Sequence, residues 1–293
     1  MKLGAVNDSE EPRVPDGLPY IVDCHVHVFP AGLFKAIWAW FDQFAWPIRY
    51  RLGSREIIEF LLSRGIGHII AFQYAHKPGI AKELNDYMAG LCRSFPGQLT
   101  GMATVFPGET DSSRILKNAF EKGLKGVKLH AHVQCFDMNS PDMAAVYETC
   151  QSEEKPLVMH VSREPKSTAY HCDPHVLCSA VKLEAVLKAF PRLKICVPHL
   201  GIDEFDAYKA LIEKYDTLWL DTAMALADYF PVRLPFRIDE LRGDRIMYGS
   251  DFPNIPYAWD RELKLIDANN YDADFLKRFL AENALSFFGI EKK

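Results

Sequence analysis

From residue 20 onward, short apolar runs of strand character alternate with segments whose apolar residues recur at helical spacing. The runs at 21–28, 68–72, 99–106, 126–130, 157–160, 194–197, 217–220 and 245–250 predict eight strands. Ile57, Ile58, Leu61 and Leu62 line one face of a predicted helix opened by Ser54 and closed by Gly65. Ile80, Leu84, Tyr87, Met88, Leu91 and Cys92 line the next, which Pro96-Gly97 stops. Further helices are predicted over 114–121, from the Ser140-Pro141 cap onward, and over 181–190, 204–215 and 273–288. Each strand–helix step takes about 30 residues, the length of a βαβ unit.

Strands that are apolar on both faces imply a parallel sheet covered by helices. Eight such steps predict an α/β protein with the (β/α)8 TIM-barrel architecture, and 293 residues suit one barrel. An open doubly wound sheet fits less well, because residues 24–30 lack the GxGxxG phosphate turn. The domain reading is a loose N-terminal arm over 1–18 and one barrel over 19–293. Two stretches break the rhythm. Residues 29–53 follow strand one and carry Phe29, Phe34, Trp38, Trp40, Phe41, Phe44 and Trp46. Residues 161–179 follow strand five and carry Arg163, His171, Cys172, His175 and Cys178. As βα connections both are expected to overhang the C-terminal face as lids, with a rim helix as the alternative for the first.

A composition of 48% hydrophobic and 25% charged residues is that of a soluble globular protein. The net charge of −5 disfavours a nucleic-acid binder, and no apolar run reaches the roughly 18 residues of a membrane span. Residues 1–18 hold acids and prolines where a secretory leader would be apolar. Seven cysteines without a CxxC pair then read as reduced thiols in a cytoplasmic protein. His171, Cys172, His175 and Cys178 have a spacing able to hold a zinc, but a thiol-lined lid is the plainer reading.

The predicted strand ends carry the chemistry. Strand one ends in His25-x-His27, strand four carries Lys128-x-His130, and strands five, six and eight end in His160, His199 and Asp251. Taken singly each is weak: His-x-His recurs at His130-x-His132, and His68 and His76 read as ordinary histidines. In a barrel, however, all these ends face one central pit. Buried imidazoles and a carboxylate meeting there need a partner, and a divalent cation satisfies all of them.

The segments IVDCHVHVF (21–29), GVKLHAHVQ (126–134), PLVMHV (156–161), VPHLG (197–201), MYGSDFP (247–253) and ENALSFFG (282–289) resemble the amidohydrolase superfamily. Within it they resemble the amidohydrolase-related branch, which includes aminocarboxymuconate-semialdehyde decarboxylase, γ-resorcylate decarboxylase and small lactone hydrolases. The resemblance implies that His25, His27 and His160 hold a metal, most often zinc, with manganese or iron as alternatives. It implies that Asp251 binds the metal and accepts a proton from its water. His199 would hold a second metal or act as an acid–base. GVKLHAH is also similar to the strand-four segment of urease. That similarity implies a carboxylated Lys128 bridging two metals, with His130 on the substrate. Decarboxylase relatives commonly lack this lysine and use one metal, so Lys128 pulls toward the binuclear, hydrolytic form. A lysine paired with a carboxylate is the alternative.

The expected activity is hydrolysis of an amide, lactone or ester by a metal-activated water; Arg163 reads either as the partner of a carboxylate on a small acidic substrate, under either activity, or as an ordinary surface arginine. Non-oxidative decarboxylation of an aromatic or muconate-type acid is the alternative, and a non-enzymatic scaffold leaves the full ligand set unexplained. The expected partners are a small-molecule substrate and a second copy in a homodimer, with neither nucleic acid nor membrane.

Overall fold

The computed structural model describes residues 7–163, 167–229 and 234–291. Residues 1–6 of the expected arm, 164–166 of the second excursion and 292–293 lie outside them. The strands are β1 (Val22–His27), β2 (His68–Phe72), β3 (Leu99–Gly101), β4 (Val127–His130), β5 (Leu157–His160), β6 (Ile195–Val197), β7 (Leu218–Asp221) and β8 (Ile246–Met247). The helices are α1 (Ala31–Phe44), α2 (Ser54–Ser63), α3 (Ala81–Ser94), α4 (Ser112–Glu121), α5 (Ala131–Gln134), α6 (Ala144–Ser152), α7 (Pro174–Leu177), α8 (Ala180–Ala189), α9 (Phe205–Lys214), α10 (Arg261–Ala268), α11 (Ala273–Lys277) and α12 (Asn283–Phe288).

All strand pairs are parallel, in the ladders β1-β2-β3 and β4-β5-β6-β7-β8. A single bridge crosses each seam between them, Ala103 to Val127 and Val26 to Phe252. The eight strands therefore follow the cyclic order of a (β/α)8 barrel. β3 and β8 are shorter than their apolar runs predict. Beyond Gly101 only Ala103 still pairs, and after Met247 the chain turns into the left-handed conformation of Asp251 (φ 64°).

Two apolar layers divide the strand residues. Val127, Leu129, Leu157, Met159, Ile195, Val197, Leu218 and Leu220 face outward and pack with helix residues such as Ile57, Ile58, Leu61, Met88, Leu116, Leu183 and Ile212. Val22, Cys24, Ile70, Phe72, Met102, Val158, Cys196, Trp219 and Met247 face inward. Ala284, Leu285, Phe287 and Phe288 of α12 join that inner layer and close one end of the barrel. Its apolar contacts leave the C-terminal strand ends to polar residues, the arrangement in which barrels place their sites.

Residues 7–18 are tied down rather than loose. Asp8 pairs with Arg261 (2.8 Å) and Glu10 with Arg49 (3.1 Å), while the Val14 N–H donates to Arg64 O (2.9 Å) and the buried Asp260 accepts from Glu11 N–H (2.9 Å). The acids that argued against a leader thus serve as anchors. The first rhythm-breaking stretch contains α1. Trp40 of α1 lies 5.6 Å from Tyr170 of the second stretch, and Tyr170 lies 5.4 Å from His132 of α5, so the two excursions meet each other beside that histidine. Among the described residues, no helix is long and apolar enough to cross a membrane.

Candidate metal centre

Simple alternation cannot place both Cys24 and His25 inside the barrel. The β1–β2 register shifts between Asp23 and Val26. Before the shift, Val22 and Cys24 join the inner layer; after it, Val26 joins the outer one, and His25 and His27 both pack their rings on the inner Phe72. This bulge re-aims the strand end at the site. Gly249 makes room for it, since a Cβ there would lie 2.6 Å from His25 Cβ. We expect Gly249→Ala to displace His25, costing about 1–3 kcal/mol of stability. A thermal melt and a metal titration on the same sample check this; unchanged values for both would show that the contact is tolerated.

His25 Nε2 lies 3.2 Å from His27 Nε2 and 3.3 Å from Asp251 Oδ1, and His27 Nε2 lies 2.9 Å from the same oxygen. These separations match ligands sharing one cation, whose edges are about 3.0–3.4 Å when each bond is near 2.1 Å. All three residues are buried. Among the described residues His27 Nδ1 has no hydrogen-bond partner, so the Nε2 edge carries that ring's polar contact. On the other side, His25 Nδ1–H donates to Asp221 Oδ2 (2.8 Å), which leaves the His25 Nε2 lone pair directed at the cluster.

Asp221 ends β7 and went unnoticed in the sequence. Besides the His25 proton it accepts N–H bonds from His199 (3.3 Å) and Ala223 (3.1 Å) at Oδ1. Burial pushes its carboxyl up, against the lowering pull of His199, Lys128 and the two amides. Its position at a strand's C-terminal end, like Asp251 after β8, was the available signal. Asp221→Asn should weaken metal binding about 10–100-fold by releasing the His25 tautomer. Isothermal titration of the metal-free variant reads this directly, and wild-type affinity would contradict it.

A second cluster faces the first. His199 Nδ1–H donates to Ala223 O (2.6 Å), leaving the Nε2 lone pair 3.2 Å from His160 Nδ1. His199 (φ 58°) and Asp251 (φ 64°) both stand in the left-handed region, strain of the kind concentrated at functional sites. The His25 and His199 rings are 5.5 Å apart, linking the two groups. His130 and His160 are direct partners in the β4–β5 register, and their rings stack at 4.0 Å. His130, His132 and His160 also bring one ligand atom each within 4.8 Å of one another.

Lys128 is fully buried on the inner face of β4, its Nζ 5.0 Å from the Phe72 ring centre. Among the described residues Nζ makes no hydrogen bond, and no carboxylate lies within ion-pair distance. The lysine–carboxylate pair considered as an alternative is therefore not formed. Burial pulls the amine down to about 8, with Asp221 and Asp251 partly opposing. Burial also lowers His25 and His27, with the Lys128 charge acting in the same direction. Burial alone would raise Asp251, but the hydrogen bond from His27 and the electrostatic pull of the surrounding imidazoles hold it well below the carboxylate range. An ionised carboxylate beside neutral imidazoles is a donor set ready for a cation.

A buried acid braces the seam behind these ligands. Asp23 accepts from Ser250 Oγ–H (2.5 Å), Ser250 N–H (3.0 Å) and His25 N–H (3.2 Å), tying the end of β1 to the segment that carries Asp251. Arg163 stands farther out, its Nε–H donating to Cys178 O (3.3 Å) and lying 3.7 Å from Glu204 Oε2. The 171–178 cluster is not among the groupings of metal-competent atoms found in the described residues.

Solved structures share this fold. An uncharacterized TIM-barrel protein from Bordetella bronchiseptica matches with a TM-score of 0.72 at 14% identity, covering 92% of this chain and 99% of that one. The 5-carboxyvanillate decarboxylase of Novosphingobium aromaticivorans, solved with manganese and a nitrobenzoic acid, matches at 0.67 and 18% identity, over 96% and 99%. The 2,6-dihydroxybenzoate decarboxylase from Rhizobium matches at 0.66 and 17% identity, over 93% and 99%. A profile of the amidohydrolase family matches residues 22–290, nearly the whole chain, and on that match the protein belongs to the amidohydrolase family.

Proposed function

We propose that the protein is a metal-dependent hydrolase acting on an amide, lactone or ester of a small acidic substrate. The observation that carries this reading is Lys128, a buried amine that makes no hydrogen bond among the described residues and lies within electrostatic reach of Asp221, Asp251, His25 and His27. His25, His27 and Asp251 would hold one divalent cation, and His160 and His199 a second. Lys128, carboxylated by CO2, would serve both. Zinc suits this donor set, with manganese or iron as alternatives. A divalent cation acidifies water and polarises a carbonyl oxygen.

The chain's own groups do the rest. Asp251 accepts the proton of the attacking water and returns it to the leaving group. His130 donates to the oxygen on which charge develops. Asp221 holds His25 in one tautomer, and Asp23 with Ser250 fixes the backbone that presents Asp251. Arg163, anchored through Nε, turns its terminal nitrogens to the substrate carboxylate.

Decarboxylation of an aromatic acid is the second reading. Phe29, Tyr74, Trp40 and Tyr170 support it: Tyr74 packs at 5.9 Å from His27 and 5.1 Å from His130, surroundings that suit a flat ring. In that reading the substrate's C–C bond to its carboxylate breaks, CO2 leaves, and Asp251 or His199 delivers the proton to the ring carbon. A panel of lactones, esters and amides, run beside a CO2-release assay on hydroxybenzoates, separates the two. Hydrolysis without CO2 release is expected. CO2 release with no hydrolysis would overturn the hydrolase reading.

A further inference from the structure

Cys135 and Cys172 come from different loops and meet at the barrel mouth. Cys135 follows α5 in the left-handed conformation (φ 52°, ψ 44°), which folds its side chain back over the turn. Cys172 lies in the connection after β5. Both sulfurs lie within hydrogen-bonding reach of one acceptor, His132 O, at 3.6 Å and 3.4 Å, which brings the two thiols together. Cys135 is exposed and Cys172 half-buried, whereas Cys24, Cys150, Cys178 and Cys196 are buried. Neither thiol belongs to the groupings of metal-competent atoms, so the proposed hydrolysis does not use them.

We propose that Cys135 and Cys172 are a redox modification site, at which a peroxide converts the pair to a disulfide fastening the connection after β5 to the turn after β4. The site is separate from the reading of the metal centre and does not depend on it.

The chemistry balances. The sulfur of Cys135, the more exposed residue of the two, gives up its proton and attacks a peroxide oxygen. The O–O bond breaks, leaving a sulfenic acid and one water. The Cys172 sulfur attacks Cys135, the S–O bond breaks, and the hydroxyl leaves as a second water with the Cys172 proton. Two thiols are oxidised to one disulfide, and one peroxide is reduced to two waters. Burial and the facing Cys135 thiol push Cys172 up to about 12, so the pair retains a proton at rest and awaits an oxidant that reaches Cys135.

The bond would have a local consequence. Tyr170, just before Cys172, packs its ring against both His132 (5.4 Å) and Trp40 (5.6 Å). A covalent link beside it would hold that three-ring contact closed, joining the connections after β1, β4 and β5.

The test uses reduced full-length protein treated with hydrogen peroxide, then alkylated and digested. The expected product is a peptide linking Cys135 to Cys172, cleaved by dithiothreitol. Amide exchange across 167–173 is expected to slow about tenfold on oxidation and recover on reduction. Cys135→Ser and Cys172→Ser should each abolish the link and the protection, and melt like wild type when reduced. Irreversible sulfinic acid at Cys135 with Cys172 still open to alkylation would overturn the proposal. So would cross-links scattered over the other cysteines, or exchange rates that oxidation leaves unchanged.

Discussion

Asp251→Asn is expected to lower turnover roughly a thousandfold, the size of effect typical when a positioned proton carrier is removed. The amide oxygen still reaches a cation, but the group no longer takes a proton from water. Folding should survive for a specific reason. Asp251 stands at φ 64°, a region asparagine tolerates as well as aspartate. Its backbone N–H still donates to His25 O (2.9 Å). The checks are steady-state turnover, a circular-dichroism melt and metal content on one preparation. Turnover within a few-fold of wild type would remove Asp251 from the proton path.

Lys128→Met should move stability and activity in opposite directions. Met fills a similar volume beside Phe72 without an amine to desolvate. The buried amine sits near 8 rather than 10.5. The difference corresponds to about 3 kcal/mol of destabilisation in the metal-free protein at neutral pH. The sign follows from proton counts. Below about pH 8 the amine is protonated in both the folded and the unfolded chain, and the penalty is complete. Between that value and the usual lysine value only the unfolded chain holds the proton, so stability rises with pH; above both, the penalty is gone. The metal-free variant should therefore be more stable than wild type at pH 7, with the gap closing toward pH 10.5. Activity should fall by orders of magnitude, because no carbamate can form and the second cation loses a ligand. Denaturant melts at several pH values, paired with metal counts, separate the two effects. A variant with two tightly bound metals and full activity would contradict the role given to Lys128.

Much of this barrel is written in periodicity. Strand runs such as 68–72 and 157–160 and helical faces such as Ile57, Ile58 and Leu61 match the structure because local pattern and burial agree there. Residues at strand ends were legible for the same reason: parallel β4 and β5 put His130 beside His160 without any special loop. What escaped depends on contacts between distant segments. The bulge between Asp23 and Val26 answers to Gly249 on the other side of the seam, and nothing within 21–28 announces it. Asp221 reads as one more strand-end acid until His25 is seen to donate to it. The N-terminal arm reads as loose from sequence because the partners of its acids, Arg49 and Arg261, are far along the chain.

The most direct test is a metal count per chain on protein purified from metal-supplemented medium, taken with its native mass. Two divalent ions and the added mass of one CO2 are the predicted result, with one ion and no added CO2 in the Lys128→Met protein. A chain that carries no stoichiometric metal, with His25, His27 and Asp251 unaltered, would contradict the convergence of these ligands on a cation.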